Sequence, residues 1–195
     1  PETELVWVSR DGRIETLAGF DRTDAANQVR LSPDGRQLSF VQEAGPLWLF
    51  DLERGGYTRV TPDGLAASPR WNPDRQRLSF AWSSAGGFQA WQVSVAGGSD
   101  ALEPLAVESA WLSSWSPDGR FLALVDDAPE TGNDILVFQA DDRKTRPYLH
   151  SRSAEEHPEF SPDGRWLAYS SDETGRLEVY LRSFPDPIRK VQISS

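Results

Sequence analysis

The stretch "FSPDGRWLAYSSD", Phe160–Asp172, sets a Ser-Pro-Asp-Gly turn former between two short apolar-rich arms. Proline holds φ at about −65°, which suits the second position of a type I turn. Glycine then supplies the left-handed residue that closes a three-residue hairpin. Three earlier segments repeat the pattern: "RLSPDGRQLSF" (Arg30–Phe40), "RWNPDRQRLSF" (Arg70–Phe80) and "SWSPDGRFLAL" (Ser114–Leu124). Their prolines, Pro33, Pro73, Pro117 and Pro162, recur about every 40–45 residues, the period of a four-stranded β-propeller blade.

The arm after each turn alternates with period two. Leu38 and Phe40 flank Ser39, Leu78 and Phe80 flank Ser79, Leu122 and Leu124 flank Ala123, and Leu167 and Tyr169 flank Ala168. A large face and a small face on each sheet let neighbouring blades approach closely. A second hairpin follows in each repeat, with inner arms Leu47–Leu52, Ala90–Val95, Ile135–Ala140 and Glu178–Ser183. The predicted fold is all-β, a propeller of four-stranded antiparallel blades. A half blade spans 1–25, and full blades span about 26–63, 64–106, 107–150 and 151–195. No stretch sustains a 3.6-residue period, so helix is expected to be nearly absent. Half a blade at one end predicts a longer ring of six blades, or self-association through the open blade edges. Repeat two has Arg75 where its siblings have Gly, and that turn is expected to be the most distorted of the four.

Composition narrows the function. The 195 residues hold 30 acidic and 20 basic side chains, a net charge of −10, which opposes nucleic acid and anionic membrane surfaces as partners. The absence of Cys excludes disulfides and thiolate zinc sites. The chain opens on "PETELVW", without Met, a signal peptide or an apolar run of membrane length, and is expected to be a piece of a longer protein or a processed chain.

These four segments, with "SSDETGRLEVYLRSFP" (Ser170–Pro185) after the last, resemble the Tol-type β-propeller repeat. That repeat occurs in TolB-like periplasmic proteins, in the propellers of prolyl-oligopeptidase-type and tricorn proteases, and at the C-terminal end of bacterial eukaryotic-like serine/threonine kinases. "LVWVSRDGR" (Leu5–Arg13) and Ser161–Pro185 look nearest to the kinase group. The resemblance implies a non-catalytic ligand- or protein-binding module, the sensor or interaction domain of such a kinase. Its alternatives are the gating propeller of a serine peptidase and a TolB-like scaffold. It favours an extracytoplasmic setting. Neither kinase motifs nor a Gly-x-Ser-x-Gly elbow is present in the chain.

Each repeat reads strand A, Ser-Pro-Asp-Gly turn, strand B, loop, strand C, turn, strand D; in a propeller the A–B and C–D turns share one face, and the B–C and D–A loops share the other, around the channel mouth. Asp34, Asp74, Asp118 and Asp163 are therefore expected to be turn formers that bind nearby backbone N–H groups. The loop "VDDAPETGNDI" gathers Asp126, Asp127, Glu130, Asn133 and Asp134, oxygen ligands suited to Ca²⁺. It lacks the spacing of a calcium loop and reads as a solvated B–C hairpin. His150 and His157 share the D–A loop "HSRSAEEHPEF" with Arg152. Trp111 adjoins another D–A loop, and Asp172 and Glu173 lie in the last B–C loop. Trp111, Asp126, Asp127, His150, Arg152, His157, Asp172 and Glu173 are thus the candidate contacts for an unknown protein partner or small molecule. No catalytic residue, cofactor or metal is assigned.

Overall fold

The structure, a computed structural model, describes residues 4–21, 26–42, 45–83, 87–95, 102–108, 110–128 and 132–194. The described residues form strands and connections, with no helix. A short hairpin, β1 (Val6–Val8) and β2 (Ile14–Thr16), precedes the sheets. The first sheet orders β3 (Ala26–Leu31), β4 (Gln37–Gln42), β5 (Leu47–Asp51) and β6 (Tyr57–Arg59). The second holds β7 (Leu65–Trp71), β8 (Arg77–Ser83), β9 (Gln89–Ser94) and β10 (Leu102–Glu108). The third holds β11 (Ala110–Trp115), β12 (Phe121–Ala128), β13 (Gly132–Gln139) and β14 (Lys144–Leu149). The fourth holds β15 (Glu155–Phe160), β16 (Trp166–Ser171), β17 (Glu178–Ser183) and β18 (Lys190–Gln192). Every pairing is antiparallel between consecutive strands. The sheets stack around an axis lined by their first strands, which contact one another in succession. The fold is a β-propeller.

The alternating faces explain the stacking. Ala67, Ala81 and Ala90 of the second sheet pack against Leu112, Leu122, Leu124 and Phe138 of the third. Ala123 and Ile135 of the third sheet meet Leu167, Tyr169 and Tyr180 of the fourth. Leu78, Phe80 and Val93 face Val41, Leu47 and Leu49 of the first sheet. Leu38, Phe40 and Phe50 close on Phe20, whose ring meets Phe40 edge-on at 5.1 Å. Each core thus lies between blades and couples neighbours. Among the described residues no sheet covers the outer face of the fourth sheet, where Val179, Val191 and Ile193 are exposed.

The recurring turns form as their sequence dictates. Gly35, Arg75, Gly119 and Gly164 have φ of 73°, 63°, 70° and 68°. Arg75 therefore does not distort its turn, contrary to expectation. It accepts the left-handed conformation at a cost of about 1 kcal/mol, and its N–H still donates to Asn72 O at 3.0 Å. The aspartates hold the turns together. Asp34, Asp74, Asp118 and Asp163 each accept a backbone N–H two residues on, at 2.9–3.1 Å. Ser32, Ser116 and Ser161 donate to three of them at 2.5–2.6 Å. In the second repeat Asn72 instead accepts from the buried Ser79 Oγ at 2.9 Å. The turn between β9 and β10 lies outside the described residues, as does Glu130.

Candidate functional site

The first strand of each sheet lines the axis, and each is interrupted by a bulge. The register shifts between Asn27 and Arg30, Ala67 and Arg70, Leu112 and Ser114, and Glu156 and Glu159. Within three of these bulges a non-glycine residue takes positive φ: Gln28 at 50°, Ser68 at 51° and His157 at 55°. Such residues persist only where surrounding contacts hold them, and bulges re-aim side chains. Gln28 Oε1 accepts the Ser68 N–H at 2.5 Å, which ties the first bulge to the second. His157 Nδ1 lies 3.2 Å from Ser170 Oγ.

At the loop end of the axis these bulges open a concavity of about 270 Å³. Ser68 and Arg70 of β7, Trp111 and Ser113 of β11, Asn133 of β13, and Glu156 and His157 of β15 line it. Trp111 forms an exposed aromatic wall, 44% accessible, braced by the Phe88 ring at 5.1 Å. Arg70 supplies the cation. Its Nε donates to Ser113 O and its Nη1 to Pro69 O at 2.8 Å. Burial lowers its pKa to about 10, repulsion from Arg30 adds to this, and Glu159 opposes it. Asn133 Nδ2 donates to Glu156 Oε1 at 2.5 Å across the seam between the third and fourth sheets. A cation, a carboxylate, an amide and an indole thus converge on one small cavity, as binding pockets require.

The structure brings Trp111 and His157 together here and separates the other candidates. His157 belongs to strand β15 rather than to a loop, and the bulge aims it at the cavity. Asp126 and Asp127 are not loop residues either. They lie in β12, opposite Asp134 and Asn133 of β13. The long arms of this hairpin draw the acidic cluster into a ladder, and no group of three or more acidic or His ligands with metal-binding geometry exists among the described residues. His150 Nδ1 sits 2.6 Å from the buried Asp134 Oδ2. Next to that pair, Ser151 Oγ donates to Glu155 Oε1 at 2.5 Å, while Glu155 Oε2 is buried without a hydrogen-bond partner among the described residues. Burial pushes Glu155 above the usual carboxylate range; Ser151 opposes this, and Asp134 and Glu173 reinforce it. Asp172 caps the D–A loop by accepting the Ala154 N–H at 2.9 Å. Glu173 pairs with Lys190 of β18, and Arg152 is exposed. These residues brace the loop face beside the cavity.

Ser68 and Arg70 were not singled out by the sequence reading, and Asn133 and Glu156 were not among its candidate contacts. The signal that could have found two of the strained positions is the recurrence of Ser68-Pro69-Arg70-Trp71 and His157-Pro158-Glu159-Phe160 immediately before the turns.

The class defined by these sheets is the β-propeller fold, and solved TolB structures share it. A TolB of Agrobacterium tumefaciens superposes with a TM-score of 0.83 at 19% identity, covering 97% of this chain and 68% of that one. A prolyl endopeptidase superposes with a TM-score of 0.74 at 17% identity, covering 100% of this chain and 33% of that one. In sequence, the chain is 26% identical over 181 residues to the uncharacterized peptidase YuxL of Bacillus subtilis, covering 88% of this chain. The chain spans only 26% of YuxL and 28% of a second curated relative, protein Atu1656 of Agrobacterium fabrum. No family model matches. No described helix is long and apolar enough to cross a membrane.

Proposed function

We propose that the chain is a non-catalytic binding module that receives a ligand or a partner's side chain in the loop-end cavity. The convergence of Trp111, Arg70, Glu156 and His157 from three blades on one cavity carries this reading. The module serves as the sensor or interaction propeller of a larger bacterial protein outside the cytoplasm. The motifs Leu5–Arg13 and Ser161–Pro185 support a serine/threonine kinase as that protein. The similarity to YuxL across 88% of the chain supports a second reading, the propeller of a serine peptidase. Exposed Val179, Val191 and Ile193 support self-association through the fourth sheet.

A fragment screen read by ¹⁵N spectra of the eight Trp indoles tests the site. The Trp111 resonance should shift with hits that Trp111→Ala then abolishes, with the fold intact because the ring is exposed. Hits scattered over the surface and indifferent to Trp111 would refute the site. Peptide hydrolysis lost on His150→Ala or His157→Ala would refute the non-catalytic assignment.

A further inference from the structure

The other end of the axis, ringed by the recurring turns, holds a second concavity of about 540 Å³. Arg30, Arg70, Arg75, Trp71, Trp115 and Glu159 line it. Three guanidinium groups face one carboxylate, in a chain whose net charge is −10. None of the three makes an ion pair among the described residues. Arg70 gives two of its five N–H donors to the carbonyls of Ser113 and Pro69, and Arg30 donates to Val29 O at 2.9 Å. Arginines on the outer sides of the same turns behave differently: Arg77 pairs with Asp74 at 2.6 Å and Arg120 with Asp141 at 3.3 Å.

Two features show that the cluster is held against its own preferences. Arg30 and Arg70 repel each other, and burial of Arg70 adds to the penalty. Arg75 occupies a left-handed position, φ 63°, that Gly35, Gly119 and Gly164 occupy in the sibling turns. The backbone there favours glycine, so a side chain at this position is maintained against local strain. Arg75 is exposed, so its side chain serves no packing role. The wall beside them is rigid, because Trp71 Nε1 donates to Arg30 O of the preceding blade at 3.2 Å.

We propose that this turn-face mouth binds a small anion carrying two or more negative charges, held by Arg30, Arg70 and Arg75 against the Trp71 indole. Guanidinium forks match carboxylate and phosphate oxygens equally in geometry, and an anion would cancel the mutual repulsion of the arginines. This site goes beyond the loop-end cavity: it shares Arg70 and Ser113 with that cavity, while Arg30 and Arg75 line only the turn-face mouth.

Isothermal titration of the chain with citrate and with inorganic pyrophosphate, at about 0.15 M salt where nonspecific attraction is screened, tests the proposal. Binding of citrate alone identifies carboxylates, binding of pyrophosphate alone identifies phosphates, and either supports the site. Arg75→Gly restores the sibling turn residue, so its melting midpoint should rise while affinity falls about tenfold or more. Arg30→Gln, at an exposed position, gives an independent second loss. Trp111→Ala should leave anion affinity unchanged. No binding of either anion at millimolar concentration, wild-type affinity in both arginine variants, or abolition by Trp111→Ala would overturn the proposal.

Discussion

Adding volume to the small face of a blade tests the stacking logic at three positions. Ala81, Ala123 and Ala168 lie in the second strand of successive sheets, each between the two large residues that face the preceding blade. Ala81 and Ala123 are 0% exposed, and each meets the large face of the next blade. Ala168 has no sheet against it and is half-buried. Leucine at Ala123 must push three extra carbons against Leu167, Tyr169 and Tyr180. Overpacking of a closed core costs about 1–3 kcal/mol. At about 2–4 °C per kcal/mol for a chain of this size, the melting midpoint should fall by about 2–12 °C. Ala81→Leu should behave alike. Ala168→Leu, facing no blade in this chain, should stay within about 0.5 kcal/mol of the parent. Guanidinium and thermal unfolding followed by circular dichroism measure all three. Equal losses at Ala123 and Ala168, or no loss at Ala123, would refute the claim that blade-to-blade packing imposes the alternation.

Two further outcomes follow from titrating groups. Glu155 has its folded pKa raised above the ordinary 4.5, so its ionised form costs stability above that raised value, and the cost disappears as pH falls toward 4.5. Glu155→Gln should therefore melt higher than the parent at pH 7, with the gap narrowing on acidification; a gap that widens would reverse the assigned sign. Asp163 is lowered to about 2, first by the Ser161 hydroxyl and then by the Arg165 N–H. A carbon-detected titration of its carboxyl should show a midpoint near that value in the parent. The midpoint should move toward 3.8, its ordinary value, in Ser161→Ala, and an unmoved midpoint would remove the serine from the turn.

The blade architecture was legible because it rests on local, repeated physics. Proline and glycine specify the turn, and alternation specifies the faces. Four copies of one signal average out the exception at Arg75. The site was only half legible, because its geometry arises where the local rules are broken. The first strands bulge, and a register shift redirects each following side chain. Alternation within β7 or β15 therefore cannot say where Ser68 or His157 points. Extending β12 and β13 toward the loop end converted the acidic loop of Asp126 and Asp127 into paired strands. A pattern of charges without a repeat gave no warning of that extension.

The same distinction between repeated and unrepeated residues separates the scaffold from the proposed sites in this chain. Asp34, Asp118 and Asp163 recur once per blade and bind the same backbone group each time. Their polarity is consumed by the turn. Arg75 interrupts the recurrence of glycine at the next position. Its backbone reproduces the glycine conformation of its siblings, so the turn gains nothing from the side chain and loses some stability by carrying it. At the loop end, Trp111 likewise departs from the repeat, an exposed indole where the other first strands place Asn27, Ala67 and Glu156 at the residue before the bulge or next to it. Side chains that repeat with the blades build the propeller. Those that break the repeat without helping it fold mark its two mouths.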